Sequence, residues 1–125
     1  MPIRGIRGAI DVQADSAEEI LRATHVLLTE IMEANPGLQS AEIASVIFTC
    51  TEDLISAFPA RAAREMGWQA VPMICSQEIP VPGSLPRCIR VLLHWNTDLT
   101  QSEIQHVYLG KAVNLRPDLT RNNTL

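Results

Sequence analysis

Apolar and polar positions follow two periods along this chain, and the places where the period changes mark its elements. Residues 2–12 alternate with the period of a strand: Arg4, Ile6, Gly8 and Ile10 fall on one face, and Gly5, Arg7 and Ala9 on the other. The period then lengthens. Ile20, Ala23, Thr24, Leu27, Leu28 and Ile31 recur at helical spacing behind Ser16 and Glu19, which have capping-box spacing, and the pattern stops before Asn35-Pro36-Gly37. Ser40-Ala41-Glu42 reads as a single helical turn. Ala44 to Thr51 reads as a buried strand with a long apolar middle.

Pro59 suits a first helical position and Gly67 a stop, so a short helix is expected over 59–67, with Arg61 and Arg64 on one face. Trp68 to Ile74 predicts a third strand, pushed to a sheet edge by Pro72. A loop rich in proline and glycine follows Glu78. Cys88 to Trp95 is then a fourth, buried strand. Thr100 and Glu103 again have capping-box spacing, and Ile104 to Leu109 predicts a last short strand. Lys111 to Leu125 carries no apolar period and is expected to be a mobile tail of a single domain spanning 1–125. The expected fold class is α+β: one mixed sheet of about five strands covered by two helices on one face. The uncovered face is expected to meet another copy of the chain.

One residue breaks the fourth strand. Arg90 sits among Ile89, Val91 and Leu92, and its charge cannot be titrated away. Burying such a charge unpaired costs several kcal/mol or more, so this strand must offer the guanidinium an anion. Arg7 lies between Gly5 and Ala9 on its own face, whose small side chains leave room for a ligand above the sheet.

Composition narrows what that anion is. The net charge of −4 and pI near 5.3 leave no global basic surface for nucleic acid or an anionic membrane. Nearly every basic residue is arginine, the side chain suited to two-pronged recognition of carboxylate or phosphate, and Lys111 is the one lysine. Three cysteines with no Cys-x-x-Cys spacing argue against a disulfide framework or a zinc site. The N-terminal residues lack the apolar core of a signal peptide, and no run is long enough to span a membrane, so a cytoplasmic protein is expected. Glycine-rich phosphate loops and nucleophile elbows are absent. His25, His94 and His106 read as packed or exposed side chains rather than catalytic bases. What remains is a set of arginines, 7, 61, 64, 90 and 116, with Glu78 and Tyr108 as hydrogen-bonding partners for a small polyanion.

The chain resembles the monofunctional AroH-class chorismate mutases along nearly its full length. The residues that carry the likeness are Ile3-Arg4-Gly5-Ile6-Arg7-Gly8-Ala9, Phe58-Pro59-Ala60 with Arg64, Gln77-Glu78, Cys88-Ile89-Arg90-Val91, His106-Val107-Tyr108-Leu109, Lys111-Ala112-Val113 and Leu115-Arg116-Pro117-Asp118-Leu119. The resemblance implies a homotrimer forming a pseudo-α/β-barrel with active sites at the subunit interfaces. It implies the Claisen rearrangement of chorismate to prephenate on the route to phenylalanine and tyrosine, with no cofactor and no metal.

By the same resemblance, Arg90 donates to the ether oxygen as its bond breaks, Glu78 accepts from the substrate hydroxyl, and Arg7 and Tyr108 hold carboxylates. Phe58 and Ala60 supply apolar wall, Cys75 lies close to the region of that hydroxyl with Ile74 one residue before it near the ring, and Arg64, Leu115 and Arg116 help close the site. Ile74 departs from the threonine expected of the family, and Arg61 from its lysine. Two other readings share the arginines: a non-catalytic trimeric module that binds a small dianion, and a trimeric imine or enamine deaminase.

Overall fold

The computed structural model describes residues 1–115. Five strands and two α-helices make up the body: β1 Ile3–Asp11, α1 Ala17–Ala34, β2 Ile43–Cys50, α2 Ala60–Glu65, β3 Met73–Gln77, β4 Cys88–Asn96 and β5 Val107–Leu109. The sheet order is β3-β2-β4-β1-β5. β4 runs antiparallel to both of its neighbours, β1 and β2, while β3 and β5 join the edges in parallel with β2 and β1. The expected α+β class, with a mixed sheet and two helices, is what forms. No helix among the described residues is long and apolar enough to cross a membrane.

The helical stripe of α1 decides which sheet face is buried. Ile20, Leu27, Leu28 and Ile31 share one core with Ile6, Val46, Phe48, Ile89, Val91 and Leu93, and α2 adds Ala60 and Ala63. At full burial each of the Ile, Leu, Val and Phe side chains contributes about 1.5–3 kcal/mol. Gly8 lies directly under α1, where a Cβ would come within 2.9 Å of Ile31 Cδ1 and 3.1 Å of Val91 Cγ1. The helix can approach β1 this closely only because position 8 has no side chain. Ser16 caps α1 by accepting from the Glu19 N–H at 3.2 Å. Glu19 does not complete a capping box; its carboxylate turns outward to Arg22.

The opposite face carries the other half of the alternation. Register places Arg7 beside Leu92, Leu92 beside Ile47 and Ile47 beside Ile74, and likewise joins Ala9, Arg90, Thr49 and Ser76 into a second row. No helix among the described residues covers these rows. Ile74 is 63% and Leu92 37% exposed.

Two strand boundaries differ from expectation. The third strand was expected over Trp68–Ile74 and lies at Met73–Gln77, on the edge that Pro72 implied. Trp68 and Val71 are buried in the turn that closes α2, where Trp68 N–H donates to Ala63 O. Pairing begins only where Pro72 O accepts from Val46 N–H at 2.9 Å. The last strand was expected over Ile104–Leu109 and begins at Val107. Its missing part is held by a side chain instead. Buried Asn35, at the end of α1, accepts from Gln105 N–H and donates to Gln105 O, both at 2.9 Å, and also donates to Ile31 O.

Removing that amide orphans both backbone groups of Gln105. Asn35→Ala is expected to lower stability by about 1–3 kcal/mol, read as a lower urea midpoint with unchanged m.

Candidate active site

Arg90 takes its place from the middle of β4. Its side chain rises from the uncovered face between Ala9 of β1 and Thr49 of β2. Ala9 is too small to fill the space beside it. Thr49 contributes instead through a carboxylate, donating from Oγ1 to Glu78 Oε2 at 2.5 Å. Glu78 follows β3 directly and extends its pairing, with its N–H donating to Cys50 O at 2.8 Å. Oε2 of Glu78 then stands 3.7 Å from Arg90 Nε: an ion pair, but beyond hydrogen-bond length. Arg90 Nε is buried and has no hydrogen-bond partner among the described residues.

A second unpartnered group faces the same space. Tyr108 of β5 pairs beside Ala9, and its buried hydroxyl also has no partner among the described residues. Arg7, Thr49, Glu78, Arg90, Leu92 and Tyr108 together line a cleft of about 290 Å³. Buried polar groups are hydrogen-bonded in the great majority of cases. Two buried donors beside a second guanidinium and a carboxylate form a set whose chemistry suits an oxygen-rich anion that also carries a donor.

The start of β4 is clamped, and the clamp sets where Arg90 falls. Thr51 Oγ1 accepts from Cys88 N–H at 2.9 Å and donates to Asp53 Oδ1. Both carboxylate oxygens of Asp53 accept from Arg87 N–H, and Arg87 Nε donates to Val12 O at 3.0 Å. Arg87 adopts φ +47°, a left-handed conformation that is rare outside glycine and that the clamp holds in place. Arg7 is set by a histidine: its backbone N–H donates to His106 Nδ1 at 2.9 Å. His106 thus acts as an acceptor in the sheet, and His94 packs with its Nδ1 3.0 Å from Ser45 Oγ.

Cys50 and Cys88 are poorly ionisable. Burial pushes the Cys50 thiol up to about 12, helped by Cys75 and Cys88. Burial likewise raises Cys88 to about 11, against the pull of the adjacent Arg90 charge. Cys88 therefore sits beside Arg90 as a neutral group and not as its counter-ion.

The chain brings together four of the expected residues, Arg7, Glu78, Arg90 and Tyr108. Phe58, 70% exposed, and Cys75 line a different cavity of about 590 Å³, together with Arg61, at the β3 edge. Ala60 is buried in the core beneath α2, Arg64 is exposed on that helix, and Ile74 projects from the open face of β3. Leu115 packs beside Tyr108. Arg116 and the rest of the expected tail to Leu125 lie outside the described residues. Sequence reasoning missed Thr49, whose polar side chain in an apolar run was the available signal. It missed the Asp53–Arg87 clamp too, which leaves no local pattern.

The family model for chorismate mutase type I matches residues 3–119. The chain belongs to the chorismate mutase type I family. It is 60% identical over 118 residues to chorismate mutase AroH of Thermus thermophilus, a match that covers 94% of this chain and 96% of the relative. It is 48% identical to chorismate mutase AroH of Bacillus subtilis (strain 168) over the full length of both. The solved chorismate mutase from Clostridium thermocellum superposes with a TM-score of 0.84 at 52% identity, covering 86% of this chain and 96% of that one. The chain therefore has chorismate mutase function, an isomerase activity, and the non-catalytic dianion binder is not favoured.

The two raised thiols give this chorismate mutase a pH signature. A thiol whose value is raised by folding stabilises the fold below the unfolded value, ordinarily near 9.0, and loses that contribution as pH rises toward 11–12. The urea midpoint is expected to fall between pH 9 and 11. It should fall less steeply in a Cys50→Ala, Cys88→Ala double variant.

Proposed function

We propose that the cleft between Arg7, Glu78, Arg90 and Tyr108 binds chorismate and promotes its rearrangement to prephenate within a homotrimer. The observation that carries this reading is the pair of buried donors, Arg90 Nε and Tyr108 Oη, that face one cleft and have no partner among the described residues. Chorismate is a dicarboxylate with a hydroxyl and an ether oxygen. Its carboxylates match Arg7 and Tyr108, and its hydroxyl matches the Glu78 acceptor. Arg90 is left to face the ether oxygen.

The rearrangement is concerted, so neither a nucleophile nor a general base is required. As the C–O bond lengthens, negative charge grows on the ether oxygen. A guanidinium already aimed there is favoured more in the transition state than in the ground state. Glu78, fixed by Thr49, keeps the Arg90 side chain from folding back toward water. The remaining contribution is conformational: paired carboxylate contacts hold the enolpyruvyl arm over the ring in a reactive geometry.

The trimer is supported by what one chain leaves bare. Ile74, Leu92 and Phe58 are exposed apolar side chains. Among the described residues, the Arg90 cleft does not include Phe58 or Cys75, and the Phe58–Cys75 cavity does not include Arg90. We assign Phe58, Arg64, Ile74 and Cys75 to the neighbouring protomer's cleft, where they complete it, with Ala60 supporting Phe58 from behind. Three such sheets side by side make the barrel. Leu115 packs against the small cluster of Ala9, Cys88, Tyr108 and Ala112. The enzyme works in the cytoplasm, in aromatic amino-acid biosynthesis, without cofactor or metal.

Arg90→Ala is expected to remain a folded trimer, with kcat lowered by at least about 10²–10³-fold, the typical loss on removing one preorganised donor. Loss of chorismate ultraviolet absorbance measures it, and unchanged turnover would refute the role. Binding of prephenate should also slow hydrogen exchange at the amides of residues 111–115; equal protection with and without ligand would count against closure by this segment.

A further inference from the structure

The reading of the Arg90 cleft leaves one well-made contact without a role. Asp11 ends β1, outside the cleft, and its Oδ1 accepts from the backbone N–H of Lys111 at 2.8 Å. Lys111 lies in a 3-10 turn, Gly110–Asn114, that has no side-chain cap of its own from the preceding Leu109. Such turns leave their first N–H groups unpaired, and a carboxylate there is worth a typical cap. The cap thus comes from a residue about a hundred positions earlier in the chain.

Gly110 is shaped to admit it. Its φ is +60°, and a Cβ built at this position would strike Asp11 Oδ1. Any other residue at 110 would be strained and would displace the carboxylate. The two positions form one fitted device.

What the device holds is Tyr108. β5 is three residues long and, among the described strands, pairs with β1 alone, so its strand hydrogen bonds are few. The phenol is fixed mainly by a small cluster of Ala9, Cys88 and Ala112, with Leu115 packed against it. Ala112, fully buried, belongs to the capped turn.

We propose that Asp11 is a positioning residue: by capping the Gly110–Asn114 turn it holds the Tyr108 hydroxyl in the substrate cleft. This inference rests on the cleft being the chorismate site. Tyr108 grips a carboxylate that does not change in the reaction, so its displacement weakens binding in ground and transition states alike. That raises KM and leaves kcat nearly unchanged. Asp11 also lies opposite Cys88 in register. An effect transmitted through β4 would instead disturb Arg90 and lower kcat.

The test is steady-state kinetics on the full-length protein. Asp11→Ala is expected to raise KM for chorismate by about 3–30-fold, the span of a lost cap, with kcat within about twofold. Asp11→Asn keeps an acceptor oxygen and should restore KM to within about twofold of wild type. Gly110→Ala, which attacks the contact from the other side, should reproduce Asp11→Ala. In a Tyr108→Phe background, Asp11→Ala should add little, because both changes act on the same hydroxyl.

The inference is overturned if Asp11→Ala leaves KM at the wild-type value, if it lowers kcat instead, if Asp11→Asn fails to restore KM, or if its effect multiplies with that of Tyr108→Phe. Its failure is separable from failure of the site reading. A wild-type KM in Asp11→Ala beside a collapsed kcat in Arg90→Ala sinks only the role of Asp11. Full turnover in Arg90→Ala sinks the cleft itself.

Discussion

A permanent positive charge held in the middle of a sheet, with a carboxylate 3.7 Å away and no hydrogen bond to its buried Nε from the described residues, is the constraint on which this structure turns. Left alone, such a group would swing toward water. It stays because β4 is paired on both sides, because Glu78 is itself fixed by Thr49, and because the strand's first residues are clamped through Thr51, Asp53 and Arg87. The left-handed backbone at Arg87 is local strain held by the clamp beside a functional strand. Such preorganisation matters because reorienting a dipole or charge during the reaction would consume the stabilisation it provides.

The two sheet faces divide the work. One carries the apolar half of each strand and is closed by α1 and α2, with Gly8 allowing the close approach. The other keeps a row of small and polar positions, Ala9, Arg90, Thr49 and Ser76, beside a row of exposed or half-exposed apolar ones, Leu92, Ile47 and Ile74. Apolar surface of that kind on a sheet favours burial against a partner. The polar row within it keeps a groove open on that face. The same strand alternation that builds the core therefore builds the cleft.

Side chains take over where backbone pairing stops. Asn35 satisfies Gln105 just before β5, His106 accepts from Arg7 N–H, and Asp11 caps the turn just after β5. A three-residue strand would be a weak platform for Tyr108 without these contacts. Each joins residues about 70 to 100 positions apart, so the last strand is held chiefly by long-range bonds.

Much of this was legible in the order of residues. The two periods located α1, β1, β2 and β4, because burial of one helical stripe or one strand face imposes those spacings whatever the partner. Pro72 placed β3 at an edge, since a residue without an N–H cannot serve a central ladder. An arginine inside an apolar run signalled a bound anion, and the likeness of short motifs to one family named the chemistry. The boundaries of β3 and β5 were not legible, because a buried turn at Trp68 and a side-chain bond from Asn35 replace ladder pairing there. Nor was the grouping of Arg7, Glu78, Arg90 and Tyr108, or the separation of Phe58 and Cys75 from them. Those depend on strand order and register, and register is set by contacts between segments that no local spacing records. The sequence alone determined which side chains could hold an anion; only the tertiary structure decided which of them meet, because meeting requires β4 to lie between β1 and β2.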